Sequence, residues 1–253
     1  MTGRRWSRPS APNWTPAPRP EPTRTPPLQP LNIFIGFDSS EIVAYHALCQ
    51  SILDHASVPV RFTPISLANL KGVFTREANA ISSTEFSFSR FLTPYLSDYE
   101  GWSLFMDCDM LARADFSEIF ALADDRYAVM VAKHDYTPRD AIKFEGHVQT
   151  KYEKKNWSSV VLFNNARCTA LTPDYVQTAS GLDLHQFRWL GDDSLIGSLP
   201  LEWNWLVGEY DHNPQAKIAH FTLGGPYFDA YADCDYADEW RAVETRTMSS
   251  AGR

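Results

Sequence analysis

Trp102-Ser103-Leu104-Phe105-Met106-Asp107-Cys108-Asp109-Met110-Leu111 decides the fold. The run follows a turn signal at Gly101 and stays largely apolar until two carboxylates interrupt it. A continuous apolar run of this kind reads as a strand buried on both faces of a mostly parallel sheet. Asp107 and Asp109 emerge at its carboxyl end, where open α/β sheets gather their ligands. A hard divalent cation is the natural guest, because carboxylate oxygens can coordinate it while it bridges the phosphates of a nucleotide. The chain carries its own control: Asp233-Cys234-Asp235 repeats the tripeptide, but no apolar strand leads into it, so that copy reads as a solvated acidic loop.

Outward from that stretch, 253 residues at 44% hydrophobic and 21% charged give one large domain with a real core. The formal net charge of −8, with no cluster of Lys and Arg, speaks against nucleic acid as a partner. Cys49, Cys108, Cys168 and Cys234 are scattered without C-x-x-C spacing, which fits a reducing compartment and no structural zinc. No segment is apolar enough to span a bilayer and the N-terminus lacks a secretory signal, so the expected location is cytoplasmic. Residues 1–30 hold nine prolines, five arginines and a single acid, Glu21. They read as a disordered arm carrying +4, which leaves −12 on the rest (−8 less +4). Such an arm permits at most peripheral contact with anionic lipid at the inner face of a membrane. The catalytic domain is expected over 31–245, with a flexible C-terminus at 246–253.

Residues 31–37 form an apolar strand, and Asp38 with Glu41 three positions on reads as a capping box for a helix running to about Ala56. Ile42, Tyr45, Cys49 and Ile52 recur at helical spacing as its buried stripe. A strand feeding a capped helix opens a nucleotide-binding α/β unit, with Phe37 and Asp38 at the mouth where a base would lie. Residues 60–65 predict a second strand, limited to an edge or an early end by Pro64. Ser82-Ser83-Thr84-Glu85 predicts another capped helix, up to Pro94, with Arg90 on an aromatic surface where it either snorkels or meets a phosphate. Strands follow at 127–132 and 160–163. Between them lies a long polar stretch, 133–156, of a length that is usually functional or mobile. Thr172-Pro173 starts a helix.

The strand over 216–221 ends at His220 and leads to Gly224-Gly225-Pro226. Three strand ends then carry polar groups: Asp107 with Asp109, Asn164 with Asn165, and His220. Parallel strands would bring all three to one edge. Two carboxylates and an imidazole suit manganese better than magnesium, which prefers oxygen and water. The glycines at 224 and 225 let backbone N–H groups approach an anion.

Taken together, Asp-x-Asp closing an apolar strand, an Arg-bearing helix before it, the acidic pair Asp192-Asp193 ahead of Leu195, and His220-Phe221-Thr222-x-Gly224-Gly225-Pro226 resemble the family-8 glycosyltransferases of GT-A fold, in particular bacterial members of unassigned acceptor. The resemblance runs from about Asn32 to Tyr227. It implies a retaining transfer of a hexose from a nucleotide diphosphate sugar, a UDP-sugar first, to a saccharide or lipid-linked acceptor of the cell envelope. It also implies Mn²⁺, with Mg²⁺ as the alternative, on Asp107, Asp109 and His220. Phe37, Asp38, Arg90, Cys108, Asn164, Gly224 and Gly225 would line the donor, and Asp192 or Asp193, with Arg90, would serve the reaction. Breaking the anomeric bond leaves negative charge on the diphosphate and positive charge on the sugar, so cation and Arg90 answer the first and an aspartate the second.

The chain departs from that family in three places. Phe37-Asp38 replaces a pair of acids, Gly191-Asp192-Asp193 replaces Asp-Gln-Asp, and Gly225-Pro226-Tyr227 replaces Lys-Pro-Trp, so a lysine for the diphosphate must come from elsewhere. Trp157, Trp203 and Trp205 are candidates for stacking on acceptor sugar rings. Two other functions remain open on sequence: a non-catalytic sugar-nucleotide or glycan binder on the same fold, and a haloacid-dehalogenase-like phosphatase, which also starts from Asp-x-Asp after a strand.

Overall fold

The computed structural model describes residues 29–76, 84–135 and 153–249. The expected arm falls almost wholly outside them. The chain opens with β1 (Leu31–Gly36), α1 (Ile42–His55) and β2 (Val60–Ile65), then α2 (Thr93–Leu96), β3 (Trp102–Met106), β4 (Met110–Ala112) and α3 (Ser117–Phe120). It continues through β5 (Val129–Ala132), β6 (Val160–Asn164), α4 (Pro173–Thr178), α5 (Gly181–His185) and β7 (Ile196–Leu199) to β8 (Trp205–Leu206), β9 (Ile218–His220) and α6 (Ala237–Met248). Six strands form one sheet in the order β2-β1-β3-β6-β5-β7, and three form a second, β4-β9-β8. β6 alone runs against its neighbours in the large sheet, which is therefore mostly parallel and flanked by helices, as expected.

The decisive run divides where its carboxylates begin. β3 is buried from Ser103 to Met106, paired with β1 on one side and β6 on the other. Met110–Ala112 leaves that sheet and pairs antiparallel with β9. Pro64 sits on β2, an edge strand, where a missing N–H costs no ladder bond.

Several local expectations are corrected. Asp38 does not cap α1; its carboxylate accepts from the Ser40 N–H and hydroxyl and from the Glu85 N–H. Glu41 occupies the N-cap position without a side-chain cap bond. α1 is rotated from the expected stripe: Ala44, Tyr45, Ala47, Leu48, Ser51 and Ile52 are buried, while Ile42 is 47% exposed. The reason is that α1 meets two layers. Tyr45, Leu48 and Ile52 pack in the core of the large sheet, and Ala47 packs in a second core with Leu111, Phe221 and Trp240.

The helix expected up to Pro94 is a turn over residues 84–88, a 3-10 turn at Ser89–Leu92 and then α2, which contains Pro94. Thr84 and Ser87 bond each other's hydroxyl and backbone groups, the local competition that disfavours a regular helix. Residues 82 and 83 lie outside the described residues. β7 and α6 were not foreseen. α6 runs past the expected domain edge at 245, and Arg246 pairs with Asp54 of α1 at 2.6 Å.

Candidate metal and donor site

β3 and β4 belong to different sheets, and the three residues between them hold the two carboxylates. The Asp107 N–H donates to the Ser159 carbonyl at 3.0 Å, keeping it on the large sheet. The Asp109 carbonyl accepts from the Phe221 N–H at 2.9 Å, tying it to the small one. Met110 lies opposite His220 in the β4–β9 register, which brings the imidazole beside Asp109: Nε2 is 3.4 Å from Oδ2. Asp107, Asp109 and His220 each offer a ligand atom, all within 4.8 Å of one another. That donor set fits a divalent cation of the manganese or magnesium class. The second Asp-Cys-Asp has its carboxylates exposed in a loop, with His212 3.7 Å from Asp235, as the sequence suggested.

Arg90 is buried against this group. Its Nη1 donates to Asp107 Oδ1 at 2.7 Å and to the Ser158 carbonyl at 3.0 Å, and its guanidinium lies over the Phe86 and Phe105 rings. Beneath it, the Ser158 hydroxyl meets His185 Nδ1 at 2.7 Å. Burial, and then the Arg90 charge, push the His185 imidazole down to about 3, so the ring is neutral.

Sequence reasoning missed Glu41. Read only as part of a cap, it is buried and accepts from the Tyr227 hydroxyl at 3.0 Å and the Cys108 thiol at 3.5 Å. Burial, and next the Asp109 carboxylate, raise its carboxyl to about 8. Through its hydroxyl bond to Glu41, Tyr227 holds the glycine turn to the start of α1. A Cβ on Gly225 would strike the Tyr227 ring at 2.3 Å; Gly224, at φ +137°, would strike Tyr231 at 2.5 Å. The glycines serve aromatic packing here.

The remaining candidates divide. Asn164 is not at this edge: β6 is reversed, so Asn164 pairs with Trp102, the far end of β3 from Asp107, and its amide turns to the Tyr127 carbonyl. Cys108 is fully buried and faces Glu41. Phe37 packs edge-on to Tyr45, and Asp38 is committed to Ser40 and Glu85. Asp192 folds back on the Ser194 N–H and hydroxyl, which hold its carboxyl below the usual carboxylate range. Asp193 reaches Lys154 Nζ at 2.5 Å. Trp203 is a core residue, edge-on to Phe116, and not a stacking surface. Trp157 and Trp205 are half-buried. Of the polar stretch 133–156, residues 136–152 lie outside the described residues. Its described end and the turn that follows it, Lys154 to Ser159, reach Asp193, His220's neighbour Asn204, Arg90 and Asp107 in turn.

No family model matches the chain. Its fold is similar to that of WbbM, a bifunctional glycosyltransferase (TM-score 0.61, 16% identity, covering 87% of this chain and 50% of that one). It is also similar to the galactosyltransferase LgtC solved with donor and acceptor sugar analogs (0.56, 12%, covering 87% and 97%). A third likeness is to the glycosyltransferase GlyE of Streptococcus pneumoniae TIGR4 (0.56, 14%, 85% and 60%). The chain thus spans about half the length of WbbM and has a glycosyltransferase fold of GT-A type. In that fold the dehalogenase-like reading loses its ground, because β1 and β2 precede the Asp-x-Asp strand in the same sheet. Protein CDI of Arabidopsis thaliana is 49% identical over 221 residues, covering 84% of this chain and 85% of that protein. By that extent of identity, the chain belongs to the family of Protein CDI.

Proposed function

We propose that this protein is a metal-dependent glycosyltransferase of the family-8 kind, moving a hexose with retention from a UDP-sugar to a saccharide or lipid-linked acceptor. The observation that carries the reading is the convergence of Asp107, Asp109 and His220 within 4.8 Å, at the carboxyl end of β3, on a fold shared with glycosyltransferases. These three residues would hold Mn²⁺, which when bound neutralises charge on the departing diphosphate. The catalytic unit extends from β1 to α6.

The chain's own residues then divide the work. Arg90 orients Asp107 and sets a fixed positive charge beside the diphosphate position. Asp193, held by Lys154 at the end of the segment that surrounds the ligands, is the aspartate that faces the sugar; Asp192 is occupied with Ser194. With retention, the leaving phosphate oxygen can take the acceptor proton, so no separate base is required.

The test is transfer or hydrolysis of UDP-hexoses with and without Mn²⁺. Sugar release that needs Mn²⁺ and is abolished in Asp109→Ala is the expected result, and activity indifferent to a chelator overturns it. A thermal-shift panel of nucleotides and sugar nucleotides adds the base preference. UDP-selective stabilisation without sugar release would identify a binder in place of a transferase.

A further inference from the structure

We propose that Asn204 is a positioning residue that fixes His220 with its hydrogen on Nδ1 and its Nε2 lone pair turned toward the cation position. Asn204 is fully buried and touches both halves of the site. Its Nδ2 donates to the Asn156 carbonyl at 3.1 Å and to Ser159 Oγ at 2.9 Å, and its Oδ1 lies 2.8 Å from His220 Nδ1.

The amide cannot be turned around. The Asn156 carbonyl is acceptor only, and the Ser159 hydroxyl hydrogen is spent on that same carbonyl at 2.6 Å, so Ser159 Oγ also needs a donor. A reversed amide would set Oδ1 against two acceptors. Oδ1 therefore faces the imidazole, and Nδ1 must be the protonated nitrogen. In the neutral ring Nε2 then carries the lone pair, 3.4 Å from Asp109 Oδ2, the form in which imidazole ligates metal.

The anchor of the amide is itself part of the site. Asn156 takes a left-handed backbone (φ 61°, ψ 3°) that turns the chain into Trp157–Ser159. The Ser158 and Ser159 carbonyls of that turn accept from Arg90 and from the Asp107 N–H. One side chain thus sets His220 by reference to the segment that sets Asp107. Its signal in the sequence is an asparagine between two tryptophans, a polar group with no solvated face.

The inference rests on the metal site proposed above, and its test separates the two. Free Mn²⁺ is followed by its EPR signal during titration of wild type and Asn204→Ala. The expected result is binding by wild type and a loss of about 10- to 100-fold in affinity in the variant. Equal affinities overturn the role of Asn204; no binding by wild type overturns the metal site and this proposal with it. A second measurement needs only a folded wild type. ¹⁵N-histidine spectra of the metal-free protein at pH 8, with His220 assigned by its loss in His220→Gln, should show Nδ1 protonated. A bare Nδ1 overturns the proposal whatever the variant does.

Discussion

Glu41 makes stability depend on pH in an unusual direction. Unfolded, its carboxyl titrates near its ordinary 4.5; folded, burial and Asp109 hold it up to about 8. Between those values the unfolded chain releases a proton that the native protein keeps, so stability falls as pH rises, by at most about 1.4 kcal/mol per pH unit. Below the lower value both states are protonated, and above the upper one the loss is complete. Urea midpoints of the metal-free protein from pH 7 to 9, above the range in which the buried, neutral His185 pulls stability the other way, should show this decline, and Glu41→Gln should flatten it and be the more stable protein at pH 9. Arg90 gives a complementary expectation. Removing one partner of a buried ion pair costs about 3–5 kcal/mol, so Arg90→Ala should melt well below wild type, and Mn²⁺ should recover part of the loss by giving Asp107 another positive neighbour. Asp107, Asp109 and His220 were legible because each lies at the border of a strand, and strand borders can be read from apolar runs. Glu41 and Asn204 were not: Tyr227 lies 186 positions from Glu41, and local sequence carries no trace of such a partner.

Among elements, β1, β2, β3 and β9 stood in the sequence because buried strands are continuous apolar runs with turn residues at their ends. The direction of β6 did not. Val160-Val161-Leu162-Phe163 is as apolar as a parallel strand, and nothing in it records that the chain enters from the opposite end of the sheet. α6 escaped notice since its charged face, Asp238, Glu239, Arg241 and Glu244, outweighs the few residues it buries. Those few matter. Trp240 is fully buried against Tyr227 in the core between α1 and the small sheet. Trp240→Ala should destabilise by about 3–5 kcal/mol in denaturant titration. At the carboxyl end of β1, a Cβ on Gly36 would meet the Phe86 ring at 2.4 Å, so Gly36→Ala should cost about 1–3 kcal/mol through overpacking and displace the aromatic floor under Arg90.

At the scale of the whole molecule, the described residues form two sheets that share α1 and meet where β3 hands over to β4. No described helix is long and apolar enough to cross a membrane. Asp107 answers to the large sheet through Ser159 and Arg90, whereas Asp109 and His220 answer to the small one through Phe221 and the β4–β9 ladder. A cation gripped by all three would act as a rivet through two plates. At 100 times its dissociation constant it would add about 2.7 kcal/mol to the native state, and most of that would be felt at the joint. A chelator should therefore work as a selective loosening agent: amide deuterium uptake should quicken along β4 and β9 on metal removal, while the interior of β3 and β6 exchanges as slowly as before.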